Sequence, residues 1–355
     1  MKRFNKTTLV MFITIIFLIM AACSSNESSG NNDTGEGNSN GNSSNGETYT
    51  ITMAHVASEA IGLHQAFLKF KEEVEEQSEG RLKVEIYPNA QLGGEREILE
   101  GVQNGDITAT ITSTGVGANF VPEVAVFDIP YLFTSKEHAR HVFRTDGPLF
   151  EKIAPYYEEK GFKLMSFTDQ GFRILSTNGV QVTSVEDVKG LRIRTLENSN
   201  HIEAWRALGA NPTPIPFNEV YTSLQQGTVD AQENPYELTV LMKFHEAQEH
   251  VTNIKSIFQS LQAVINKDFY DSLPDDLRAL VDEGFASAVQ FGTDFLDEKD
   301  AEYIQVLKDT GLTVNEISDD ELEKFREKTS PVIETIRGQV GDELVDLMIS
   351  EAENY

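Results

Sequence analysis

From Glu47 onward, short alternations of apolar and polar positions take turns with longer stretches of helical spacing. Leu82, Val84 and Ile86 alternate with Lys83 and Glu85, which predicts a strand with one covered face. Residues 49–53 predict a shorter strand, followed by a helix in which Leu63, Phe67, Phe70 and Val74 recur on one side. After a loop at residues 88–94, a second helix carries Ile98, Leu99 and Val102 and stops near Gly105. Ile107, Ala109 and Ile111 alternate in a further strand. Strand, helix and strand in repetition argue for a mostly parallel sheet with helices on both faces.

The pattern then starts afresh. A second unit is expected to begin around residues 162–167, continuing through 172–176. Residues 191–195 predict a strand, and Ile202, Trp205 and Leu208 a helix. Pro212, Pro214 and Pro216 hold the next stretch extended. A helix over residues 218–226 is expected to end at Gly227. Beyond Pro274 the helical period runs on through Leu277, Leu280, Val281, Phe285 and Phe291, long enough to brace two lobes or to cross between them. A body of this length favours two domains over one.

The N-terminal stretch follows a different rule. Lys2, Arg3 and Lys6 precede an apolar run at residues 9–20, then Ala21-Ala22 and Cys23. A basic start, a short apolar core and small residues before a cut describe a secretory signal, too short for an ordinary membrane span. With a thiol placed directly after the cut, the segment resembles a bacterial lipoprotein signal, Met20 standing where Leu is usual. The expected layout is a signal peptide at 1–22, then a lipidated Cys23 and a disordered linker through residue 46. That linker is built mainly of Ser, Asn and Gly, and as a flexible coil it spans roughly 25–30 Å. The body would then sit on the extracytoplasmic face of the cell membrane, held there through its lipid.

Charge and cysteine content narrow the partners. The chain has 29 basic and 57 acidic residues, a net charge of -28, which repels nucleic acid and anionic lipid head groups at long range. Cys23 is the only cysteine, so no disulfide within the chain holds the body together. Enzyme signatures are missing: there is no Gly-x-Ser-x-Gly elbow and no phosphate loop, and Gly115-Val-Gly117 lacks the rest of a dinucleotide fingerprint. His138 and His141 lie one helical turn apart without a fitting third ligand nearby, so they are expected to face solvent. No catalytic residue, metal or cofactor is expected.

Charged residues inside apolar strands are the more informative chemistry. Arg173 follows Phe172 and precedes Ile174 and Leu175, and Arg192 and Arg194 share one side of a strand whose other side carries Leu191 and Ile193. A buried guanidinium must be paired, and its planar fork suits a carboxylate. Periodicity alone leaves open whether Arg192 or Arg194 meets a ligand.

Five blocks in order carry a resemblance. They are Tyr87-Pro-Asn-Ala-Gln-Leu-Gly93, Pro122-Glu-Val-Ala-Val-Phe-Asp-Ile-Pro-Tyr-Leu-Phe133, Gly190-Leu-Arg-Ile-Arg194, Leu208-Gly-Ala-Asn-Pro-Thr-Pro-Ile-Pro-Phe-Asn-Glu-Val-Tyr221 and Gln225-Gln-Gly-Thr-Val-Asp-Ala-Gln-Glu-Asn-Pro235. Together they resemble the extracytoplasmic solute-binding proteins of tripartite ATP-independent periplasmic (TRAP) transporters, over about residues 48–340. The resemblance implies an α/β fold of two lobes, a clamshell like other periplasmic binding proteins, with hinge strands and a long bracing helix. The first lobe would hold residues 47–170 and about 260–299, the second 171–259 and about 300–355.

It also implies a site. Arg194 matches the family's carboxylate clamp, Arg173 its second arginine, Asn234 the asparagine that completes the contact, and Phe217 the aromatic packed on the solute. His55, Ser113 and Thr114 fall at strand ends near the ligand, and Asp169 is a further candidate for its polar groups. Arg192 is expected to face solvent or an acidic neighbour. The implied partner is an organic acid anion, a C4-dicarboxylate first and a sugar acid (uronate, aldonate or sialic acid) as the alternative. The absence of a glutamate beside Ser113 in the sequence counts against sialic acid. Delivery to TRAP permease membrane subunits by a monomeric receptor completes the expectation.

Overall fold

The computed structural model describes residues 47–355; the expected signal segment, Cys23 and the linker lie outside the described residues. Two mixed sheets organise the chain into two α/β lobes. The first contains β1 (Tyr49–Ala54), β2 (Leu82–Tyr87), β3 (Ala109–Ser113) and β4 (Phe162–Phe172). The second holds β5 (Ile174–Thr177), β6 (Arg192–Thr195), β7 (Asn211–Pro214), β8 (Ala231–Asn234) and β9 (His250–Asn253). Then β10 (Phe258–Asn266) returns to the first sheet and β11 (Thr313–Glu316) to the second. The strand orders are β2-β1-β3-β10-β4 and β11-β9-β5-β8-β6-β7. Among the described residues no helix is long and apolar enough to cross a membrane.

The first sheet is parallel only across β2, β1 and β3. β10 runs antiparallel to both β3 and β4, because it enters from the opposite end after the chain has visited the second sheet. All nine residues of β10 are buried, so no alternation announces it in the sequence. Residues 162–172 do not open a second unit. They form the long edge strand of the first sheet, and the chain leaves that sheet only at Arg173.

The outward and return crossings lie side by side. Arg173 N donates to Ile257 O at 3.0 Å, and Phe258 pairs with Phe172. A third connection is the helix Asp275–Asp309, 35 residues long. Leu277, Val281, Phe285 and Ala288 bury it against Phe67, Phe70 and the first sheet, and Tyr303 and Leu307 against Ile174, Val240 and Val251 of the second lobe. This helix therefore braces both lobes. Its Gly284 permits close packing, since a Cβ there would stand 2.7 Å from Val74 Cγ1.

Two local outcomes differ from the sequence pattern. Residues 217–225 split into a 3₁₀ turn, Phe217–Glu219, and the helix Val220–Gln225. The C-terminal helices Val332–Val340 and Asp342–Glu353 pack on the segment Pro122–Asp128 and on the helices Lys136–Phe143 and Pro148–Glu159, which precede β4. The physical reason is apolar: Ile336, Val345 and Met348 complete a cluster with Val142, Phe143, Leu149 and Ile153. β7 forms the outer edge of the second sheet, where Asn211 N and Ile215 N donate to Leu191 O and Thr195 O at 2.8 and 3.2 Å.

Candidate functional site

A cavity lies where the ends of β1 and β3 face β5, β6 and β8. Arg173, Arg194, Asn234, Phe217, His55 and Ser113 all line it. Ser113, Arg194 and Asn234 come from three strands, His55 from the end of β1, Arg173 from the crossing between β4 and β5, and Phe217 from the turn after β7.

Arg194 is 2% exposed. Its Nε donates to Ile215 O at 2.9 Å, while Nη1 is buried with no partner. Among the described residues no carboxylate forms an ion pair with it, and burial together with the Arg173 charge pulls its guanidinium down to about 9. It remains a cation at neutral pH, with part of its fork unused.

Arg173 is buried as deeply, at 1% exposed, but its charge is paired, although its Nε makes no hydrogen bond. Its Nε lies 3.4 Å from Glu233 Oε1, and its two terminal nitrogens donate to Gln259 Oε1 and Glu233 O. Glu233 in turn accepts from Ser256 Oγ at 2.9 Å and meets His201 Nδ1 at 3.3 Å. Burial alone would raise the Glu233 carboxyl; the Arg173 charge and these hydrogen bonds overcome it and hold the group well below the usual carboxylate range. His201 Nε2 reaches Asp128 at 3.2 Å, and the two carboxylates raise its imidazole against the opposing effect of burial. Arg173 thus joins the paired crossings to a buried polar network.

The remaining liners are neutral or acidic. Asn234 donates to Gln232 Oε1 at 2.5 Å, and Phe217 meets Phe244 edge-on at a centroid distance of 5.7 Å. His55 Nε2 contacts His64 Nδ1 at 3.0 Å; burial first and His64 second pull His55 down to about 3, so it is uncharged. Its Nδ1 is buried without a partner. Ser113 Oγ accepts from Gly115 N at 3.1 Å and Gln259 Nε2 at 3.0 Å.

Two candidates are placed elsewhere. Thr114 Oγ1 turns to Ser260 Oγ at 2.5 Å, away from the cavity. Asp169 accepts from Arg140 Nε at 2.7 Å, and strand alternation sends the next residue, Gln170, to the cavity instead. His138 also departs from expectation. It is 7% exposed, with Nε2 at 2.8 Å from Ala352 O, so the C-terminal helix covers it. Arg192 is exposed and paired with Asp230, Nε to Oδ2 at 2.8 Å.

Among the cavity residues that escaped the sequence reading are Glu95, Gln170 and Gln259. Glu95 opens the helix Glu95–Asn104, and its Oε1 accepts from Ser113 N at 3.1 Å. A glutamate does therefore stand beside Ser113, contributed by a different segment of chain. Desolvation raises its carboxyl, opposed by the Ser113 amide and by Arg194 and Arg173. The cavity thus pairs a partly unsatisfied cation with an acidic acceptor.

Comparison with known proteins agrees with this architecture. Residues 53–339 match the model of bacterial extracellular solute-binding protein, family 7. A solute-binding protein of Verminephrobacter eiseniae is 40% identical over 74% of this chain and 78% of its own. The C4-dicarboxylate-binding periplasmic protein of Rhodobacter capsulatus is 32% identical, over 84% and 90%. Among solved structures, the sugar acid binding protein of Advenella mimigardefordensis in complex with galactonate superposes with a TM-score of 0.84 at 28% identity, covering 87% of this chain and 99% of that one.

Proposed function

The chain belongs to family 7 of the bacterial extracellular solute-binding proteins, and on that premise we propose that it captures a small organic acid anion outside the cytoplasm and passes it to a TRAP-type membrane permease. It is a binding protein and not an enzyme. The observation that carries the reading is the buried, unpartnered Nη1 of Arg194, a residue that lines the cleft. A carboxylate would satisfy that fork with charge-assisted hydrogen bonds, whereas a neutral solute would leave a buried charge unpaired. Closing the two lobes about the paired crossings would dry the cleft and strengthen the contact.

Glu95 bears on which acid is taken. With Arg173 committed to Glu233, a C4-dicarboxylate would have to place its second carboxylate near Glu95 and find a second cation. A hydroxylated monocarboxylate gives Arg194 its anion and Glu95 a hydroxyl donor. We therefore place a sugar acid ahead of the C4-dicarboxylate that the sequence put first. The known binding proteins it resembles include both kinds. Calorimetry on galactonate, gluconate, galacturonate, succinate and malate tests the order. Tighter binding of succinate or malate than of every hydroxylated monoacid restores the dicarboxylate reading, and Glu95→Gln should shift preference toward the diacids.

The tether belongs to the same proposal. Cys23 would carry the lipid that keeps the receptor near its permease, a claim resting on the leader sequence and tested by partition of the mature protein into detergent.

A further inference from the structure

Behind the main cleft, against the long helix, lies a second cavity lined by Gly62, Gln170, Glu237, Gly292 and Leu296 among others. Glu237 is 1% exposed and sits on the helix Tyr236–Leu241, which follows β8 of the second lobe. Both of its hydrogen-bond partners belong to the first lobe. Gly62 N donates to its Oε1 at 2.7 Å, and Gln170 Nε2 to its Oε2 at 3.3 Å.

Gly62 opens the helix Gly62–Gln77, which has no cap of its own: Ile61 precedes it, and its first turn holds no acidic residue. A carboxylate from across the cleft therefore does the work that Ser, Thr, Asp or Asn would do locally. The approach depends on glycine. A Cβ on Gly62 would stand 3.3 Å from Glu237 Oε1 and 3.2 Å from Phe295 Cδ1. Gln170, the other partner, lines the main cleft as well, so one side chain touches both cavities.

We propose that Glu237 is a positioning residue of the cleft: on closure it caps the helix Gly62–Gln77 from the opposite lobe, and by holding the Gln170 amide nitrogen it turns the Gln170 carbonyl oxygen toward the solute. Only the word solute rests on the function proposed above; the latch itself does not need it.

The latch also responds to pH. Lys136 and Asp300 flank Glu237 with opposite charges and Tyr303 faces it from the long helix, while Asp169, lining the same cavity, is paired with Arg140. Burial pushes the carboxyl up to about 7 from its ordinary 4.5, against the hydrogen bonds from Gly62 and Gln170. In an open cleft the group meets water and returns toward its ordinary value. Closure therefore takes up a proton between those two values, and it strengthens as pH falls from about 7 toward the ordinary carboxylate range.

The experiment needs no solute. Spin labels at exposed Lys83 and Lys189, one on each lobe, report the closed fraction of the full chain at pH 8 and pH 5.5. The parent should close further at the lower pH. Glu237→Gln, which can still accept from Gly62, should close at both and lose the pH response. Glu237→Ala should drop the closed-to-open ratio by roughly fivefold, the size of a lost helix cap. Identical distributions in the parent and Glu237→Ala overturn the latch. A pH response that survives in Glu237→Gln overturns its assignment to this residue. The side-chain amide resonances of Gln170 should shift in Glu237→Ala; an unchanged pair overturns the orienting role. Failure of acid binding at Arg194 would leave all three readouts as they are, so the two readings fall separately.

Discussion

Arg173, at the crossing between β4 and β5, and Arg194, on β6, are both buried and both reach the same cavity, yet their surroundings differ. Arg173 has Glu233 and Gln259 around it, and its charge holds Glu233 well below the usual carboxylate range. Arg194 has one backbone carbonyl and an idle nitrogen. A satisfied buried charge stiffens the place where it sits, here the double crossing between the lobes. An unsatisfied one is costly to the empty protein and becomes acceptable only when something arrives to pair with it. On the proposed function, the contrast separates an arginine that stiffens the crossing between the lobes from one left with a nitrogen to offer a solute.

Removing one partner of the satisfied pair should have the largest effect. Glu233→Ala leaves Arg173 buried and uncompensated, a loss on the order of 3–5 kcal/mol in stability, read by thermal or urea unfolding. The pH dependence follows the same pair. Because the folded Glu233 carboxyl lies below its ordinary value, its stabilisation is present above the ordinary carboxylate range and is lost as pH falls toward the folded value. A parent-like midpoint in Glu233→Ala would break the comparison.

Next comes Arg194→Ala, which should cost about 2–5 kcal/mol of affinity for any acid found by calorimetry, because a desolvated charge pair is lost. The melting temperature of the empty variant should hold or rise, since no paired group is left behind. A fall as large as that of Glu233→Ala would mean that both arginines are structural. The smallest effect belongs to the exposed control. Asp230→Ala breaks the Arg192 pair at the surface and should leave stability and acid binding unchanged within error.

The sequence made some of this legible and hid the rest for identifiable reasons. Leu82 to Tyr87 alternates because one face of β2 is exposed, and the helix from Glu95 ends where Gly105 adopts a φ of 84°. β10 left no such trace, and with it went Gln259, whose strand is buried on both sides. The polar pattern around residue 169 was visible, but the partners were not; Asp169 pairs with Arg140 while Gln170 lines the main cleft. Glu95 was invisible for another reason. Its neighbour Ser113 is distant in sequence, and only the sheet brings the two together. Arg173 and Arg194 look alike as letters in apolar runs, and what separates them is Glu233, on β8.

The outer edge of the second sheet carries a consequence for life outside the cytoplasm. Asn211 and Ile215 spend their amides on β6, which leaves Pro212 and Pro214 in the alternate positions that face away. Neither has an N–H to give. A stray extended peptide, or the same strand of a second copy, therefore finds no donor at those two positions. Those prolines act as a bumper: copies can collide edge to edge without zipping into a shared sheet.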